Sequence, residues 1–140
     1  VGHHSPRRST QFFSRKVTKA VADIKAGRID KLILGDVSRL QDWGDASEFM
    51  DAVVDIINMP PGNYTIGTNL PRTLADWVET AFKVAGLEAA DWVEYHQQMV
   101  QPTDVPILSA RTSMPLSWRA TRTFEDLCRW MVEADLKASP

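Results

Sequence analysis

Residues 64–86 read YTIGTNLPRTLADWVETAFKVAG, and the fold follows from where this stretch changes its period. Thr73 and Asp76 stand at the spacing of a capping box, in which each side chain satisfies a backbone N–H at the helix entrance. Leu74, Trp77, Val78, Ala81 and Phe82 then recur at helical spacing and define one apolar face. Gly86 fits the left-handed C-terminal cap. Ahead of the helix, YTIGT (64–68) reads as a strand, so the stretch is a strand feeding a capped helix.

The same alternation extends toward the N-terminus. PPGN (60–63) closes a helix marked by Phe49, Val53, Ile56 and Ile57, with Asp45 or Ser47 as its cap. A loop through Gly44 precedes it, and KLILG (31–35) reads as a short buried strand. TQFFSRKVTKAVADIKA (10–26) places Phe13, Val17, Val21 and Ile24 at helical spacing, with Gly27 as the stop. Toward the C-terminus, Trp92–Tyr95 reads as a strand, and Pro102 and Pro106 break any helix after it. RTSMPLSW (111–118) reads as a helical turn or a loop. Thr123 with Asp126 opens a last helix whose Phe124, Leu127, Cys128 and Met131 share a face. Two or three short strands among helices predict a small mixed α/β fold, with helices packed on a two- to three-stranded sheet.

Length and composition fit one domain over residues 1–140, with residues 1–9 expected as a flexible arm. Apolar residues make up 44% and charged residues 24%, which argues against a disordered chain. With no apolar run of the roughly 20 residues that a membrane span needs, and no apolar leader core, the expectation is a cytoplasmic protein without membrane contact. The net charge of -2 hides an asymmetry. Before Ile29 stand seven basic residues against Asp23 alone, and Asp42, Asp45, Glu48, Asp51 and Asp55 follow. A nucleic-acid partner would call for a more basic domain, so none is expected.

Cys128, the single cysteine, predicts packed core rather than a nucleophile. His3 and His4 are adjacent with no third ligand at helical spacing, so no metal site is expected. There is no G-x-G-x-x-G turn after a strand, no Walker A loop, and no Lys four residues after Tyr64 or Tyr95. No dinucleotide cradle and no catalytic residue is therefore predicted.

The order of six blocks resembles a known family. HHSPRR (3–8), FFSRKVTKAVADIKAG (12–27), LILGDVSRLQDWGDASEFMDAV (32–53), YTIGTNLPRTLADWVETAF (64–82), VQPTDV (100–105) and FEDLCRWMVEADL (124–136) are similar to the C-terminal, substrate-binding part of GDP-mannose 4,6-dehydratases, extended short-chain dehydrogenases/reductases. The resemblance implies a parent lyase reaction, GDP-mannose to GDP-4-keto-6-deoxymannose. NADP would be bound by a Rossmann domain that also carries the catalytic Tyr and Lys, none of it in this chain. It implies GDP-mannose or another nucleotide-sugar as ligand, and the Rossmann domain, another protein or a second copy of the chain as partner. A non-enzymatic binding or assembly module with a decayed site is the alternative.

Site residues follow from the same resemblance, position by position. The family's N-H-E-S-P-R-R reads Gly2 to Arg8, so its sugar-diphosphate Asn is Gly2 and its Glu is His4. Its T-R-K-I reads Ser14 to Val17, which keeps Arg15 and the nucleotide-binding Lys16. Its R-D-W-G-H begins with Gln41, and its R-P-A-E-V reads Gln101 to Val105, with Asp104 replacing Glu. Lys16, Gln41, Gln101 and Asp104 are the implied substrate contacts, with Gly2, Arg7, Arg8 and Arg15 as weaker ones. Two arginines that fork onto a diphosphate are both Gln here, a loss of about 1.5–3 kcal/mol for each charged hydrogen bond.

Overall fold

The computed structural model describes residues 2–96, 107–112 and 116–139. Three helices build the core: α1 (Phe13–Lys25), α3 (Leu74–Val84) and α5 (Phe124–Ala138), each touching the other two. The anticipated apolar stripe of α3 is the centre of it, with Leu74, Trp77, Val78, Ala81 and Phe82 all buried. Val17, Val21 and Ile24 of α1 and Leu127, Cys128 and Met131 of α5 close on that stripe. Burial raises the Cys128 thiol well above its ordinary range, so it stays protonated.

Local chemistry sets the helix ends. Thr73 accepts from Asp76 N while Asp76 accepts from Thr73 N, the reciprocal box read in the sequence. Asp45 rather than Ser47 caps α2 (Ala46–Ile57), accepting from Ser47 N at 2.8 Å. Gly27 and Gly86 both take positive φ, which ends α1 and α3 without the clash a Cβ would bring.

The strands are shorter and more numerous than the sequence predicts. β1 (His3–His4) pairs in parallel with β4 (Gly44–Asp45), and β2 (Leu32–Leu34) pairs in parallel with β6 (Val93–Tyr95). β3 (Leu40–Gln41) lies between antiparallel β5 (Arg72–Thr73) and parallel β7 (Ile107–Leu108). A short helix, α4 (Ala89–Trp92), precedes β6. The fold class holds: a small mixed α/β arrangement with two- and three-stranded sheets.

Two expectations need correction. Residues 64–68 form no strand, and among the described residues they make one isolated bridge, Thr68 to Arg111. The Thr112 hydroxyl donates to Gly67 O and accepts from Gly67 N, so a side chain takes the groups a ladder would use. Nor are residues 2–8 a solvated arm, since β1 is paired and His4 is only 2% exposed. No described helix is long and apolar enough to cross a membrane.

Candidate functional site

Two backbone segments form a polar wall beside the core: the β1 segment (2–8) and the β3–β4 segment (40–45). Gly2 lies flat on the second of these. A Cβ at Gly2 would sit 2.6 Å from Asp42 O and 3.4 Å from Gln41 Nε2. The close approach leaves no room for a side chain, and Gly44 N completes it by donating to Gly2 O at 3.3 Å.

His4 connects the wall to the helices. Its Nδ1 is 2.9 Å from Ser14 Oγ on α1, and its Nε2 is 3.1 Å from Gln41 Nε2 on β3. The imidazole is neutral, and the Asp42 backbone carbonyl is a further hydrogen-bond partner of the ring. The ring lies 4.8 Å from Trp43, which stacks on Trp77 at 4.4 Å with Phe124 edge-on to both. Burial, reinforced by the nearby positive charge of Arg8, pushes the His4 pKa down to about 3.

Carboxylates fix the rest. Asp42 is fully buried and accepts from both the backbone N and the hydroxyl of Thr68. Asp45, capping α2, also places Oδ2 2.8 Å from Arg122 Nε. Arg15 donates to the carbonyls of Pro6 and Arg8 and reaches Asp135 on α5 at 2.6 Å. Asp135 in turn accepts from Thr18 Oγ1 at 2.7 Å. One guanidinium thus holds the 6–8 turn against two helices.

The anticipated contacts divide into groups. Gly2 and Gln41 come together at the wall, and Arg15 and Arg8 meet at the 6–8 turn. Arg8 donates to His3 O and stacks over the Phe12 ring at 4.1 Å, and burial lowers its pKa. Arg7 lines a small cleft with Arg8, Phe12 and Ala46. Lys16 donates to Ile33 O at 3.2 Å, at the β2 strand rather than the wall. Gln101 and Asp104 lie outside the described residues.

Sequence reasoning missed Ser14, Asp42 and Asp135, and gave His4 no place in the packing. A signal existed for Asp135, which continues the apolar face of Cys128, Met131 and Val132 where a carboxylate needs a partner. Asp42 carries no such signal, because its partner Thr68 lies in a segment with no ladder of its own. Among the described residues no cluster of His, Cys, Asp and Glu could hold a metal ion. They do not fit a dinucleotide either: the two positive-φ glycines end helices rather than open one after a strand.

Comparison with known proteins follows the same lines. A family model described as GDP-mannose 4,6 dehydratase matches residues 1–131. The chain is 33% identical over 139 residues to GDP-mannose 4,6 dehydratase 1 of Arabidopsis thaliana, covering 96% of this chain and 38% of that protein. It is 27% identical over 157 residues to the human GDP-mannose 4,6 dehydratase, covering 96% and 42%. Among solved structures, RMD from Pseudomonas aeruginosa complexed with NADPH superposes with TM-score 0.86 at 13% identity, over 98% of this chain and 46% of that one. The dTDP-glucose 4,6-dehydratase from Bacillus anthracis in complex with NAD gives TM-score 0.80 at 20% identity, over 97% and 42%. At these identities the superpositions speak for the fold alone. The chain spans about two fifths of the length of the curated relatives it matches.

Proposed function

The chain belongs to the GDP-mannose 4,6-dehydratase family, and we propose that it supplies the nucleotide-sugar-binding wall of a protein of that kind. The ligand in this reading is GDP-mannose, and the parent reaction yields its 4-keto-6-deoxy product. NADP and the hydride chemistry belong to a Rossmann partner domain, since the described residues fit no dinucleotide. The family's NADP would accept and return a hydride, and this chain's own share is binding and orientation. The chain would act with that partner domain or as a multimer.

One observation carries the reading. Gly2 and Gln41, far apart in sequence and both ligand positions by the resemblance, lie side by side at one wall, where a Cβ on Gly2 would stand 3.4 Å from Gln41 Nε2. Arg15 and Asp135 hold the neighbouring 6–8 turn rigid, as a site needs from its supporting residues.

A second reading, a binding or assembly module with a decayed site, has its own observation. The Gln41 amide is turned to His4 Nε2 instead of being offered to a phosphate. A titration with GDP and then GDP-mannose, followed by NMR at the amides near Gly2 and Gln41, separates the two. Saturable shifts confined to those positions support the nucleotide-sugar wall. Silence at millimolar ligand removes it and leaves the module. The double variant His4→Glu/Gln41→Arg restores the family's charges and should tighten GDP binding by about tenfold, the worth of one charge-assisted hydrogen bond.

A further inference from the structure

Beside the β3–β5 ladder, a cleft of about 560 Å³ opens between residues 67–72 and the 119–125 segment that enters α5. Its lining carries Arg72, Arg119 and Arg122 against one carboxylate, Glu125. The charge is distributed unevenly among them. Arg122 is ion-paired with Asp45 at 2.8 Å and lies over the Trp130 ring at 4.4 Å. Asp42, behind Thr68, turns both oxygens to that residue. Arg72 faces Glu125 at 3.5 Å with both side chains about half exposed, a pair that contributes little. Arg119 donates to the carbonyls of Leu116 and Trp118 and forms no ion pair with a carboxylate among the described residues.

The arginine-bearing loop is held in place before any ligand arrives. Glu48 on α2 accepts from Thr121 N and Arg122 N, each at 3.0 Å, and from the Thr121 hydroxyl. Arg72 is fixed by the ladder register with Gln41 and lies over the Phe124 ring at 5.4 Å. Two guanidinium forks on two rigid segments, with excess positive charge and aromatic rings between them, suit a multiply charged anion. The volume exceeds that of a lone phosphate and falls in the range of small-molecule sites.

We propose that this cleft is a second anion site, separate from the Gly2–Gln41 wall, which takes a phosphorylated small molecule on Arg72 and Arg119. Its arginines lie outside the wall segments, with which the cleft shares Trp43, so loss of Arg72 or Arg119 tests the cleft without removing Gly2 or Gln41.

The test is an NMR titration of the 140-residue chain with inorganic pyrophosphate, reading the amides of 120–124 and the arginine Nε–H resonances. Saturable shifts there are expected. Arg72→Gln and Arg119→Gln should each weaken binding about tenfold, the worth of one charged hydrogen bond. Arg119→Lys, which keeps the charge and loses the fork, should fall between. Glu125→Gln should tighten binding a few-fold by releasing Arg72, a gain that misfolding cannot mimic. Lys83→Gln, an exposed lysine of α3 outside the cleft lining, should change nothing. Absence of saturable shifts overturns the proposal, as does equal weakening by Lys83→Gln, which would mark diffuse attraction to net charge. Repeating the titration with GDP tells the sites apart: shifts at 120–124 that vanish in Arg119→Gln belong to this cleft, and shifts at Gln41 that persist belong to the wall.

Discussion

The helical core and the polar wall are both buried, yet they are built from opposite materials. In the core, α1, α3 and α5 bury apolar side chains whose contacts are numerous and individually weak. In the wall, His4, Asp42 and Asp45 are as inaccessible as the core leucines, and each is held by named hydrogen bonds. The core therefore tolerates exchange of one apolar shape for another of similar volume. The wall has no such latitude, because a buried polar group without its partner costs the full price of desolvation. The Trp43–Trp77 stack joins the two regions, with one ring from each.

Four measurements would sharpen or break this contrast. The largest effect belongs to Trp77→Ala, which empties the centre of the core and should cost about 3–5 kcal/mol in urea unfolding. It should also abolish the near-ultraviolet circular dichroism of the stacked indoles. Asp42→Ala comes next: it leaves two donors of Thr68 unsatisfied and should cost about 2 kcal/mol, whereas an equal or larger loss than Trp77→Ala would overturn the contrast.

The third measurement uses pH. His4 titrates at 6.5 when unfolded and at about 3 when folded, so below 6.5 the unfolded chain binds a proton that the native site refuses. The stability His4 contributes is complete above pH 6.5 and declines as the pH falls toward about 3. The slope from this group is about 1.4 kcal/mol per pH unit. His4→Gln should flatten that part of the profile, and an unchanged slope in the variant would mean the imidazole is not held neutral by burial. The smallest effect is Thr73→Ala, which removes one half of the α3 capping box and should cost about 1 kcal/mol in thermal or urea unfolding.

The sequence by itself determined what depends on near neighbours. The face of α3, its capping box, the glycine stops at Gly27 and Gly86 and the β2 strand, buried at Leu32 and Leu34 but not at Ile33, all follow from spacings within one or two turns. The family was legible too, through the order of six blocks. What only the tertiary structure decided involves partners distant in the chain. Residues 64–68 gave up their strand because Thr112 takes the backbone groups of Gly67. His4 became a buried link because Ser14, Gln41 and Trp43 surround it. Asp135 entered an apolar face because Arg15 and Thr18 meet it there. A hydrophobic pattern reports which face turns inward, but a hydrogen bond between remote residues leaves no period in the sequence, and its geometry exists only once the chain is folded.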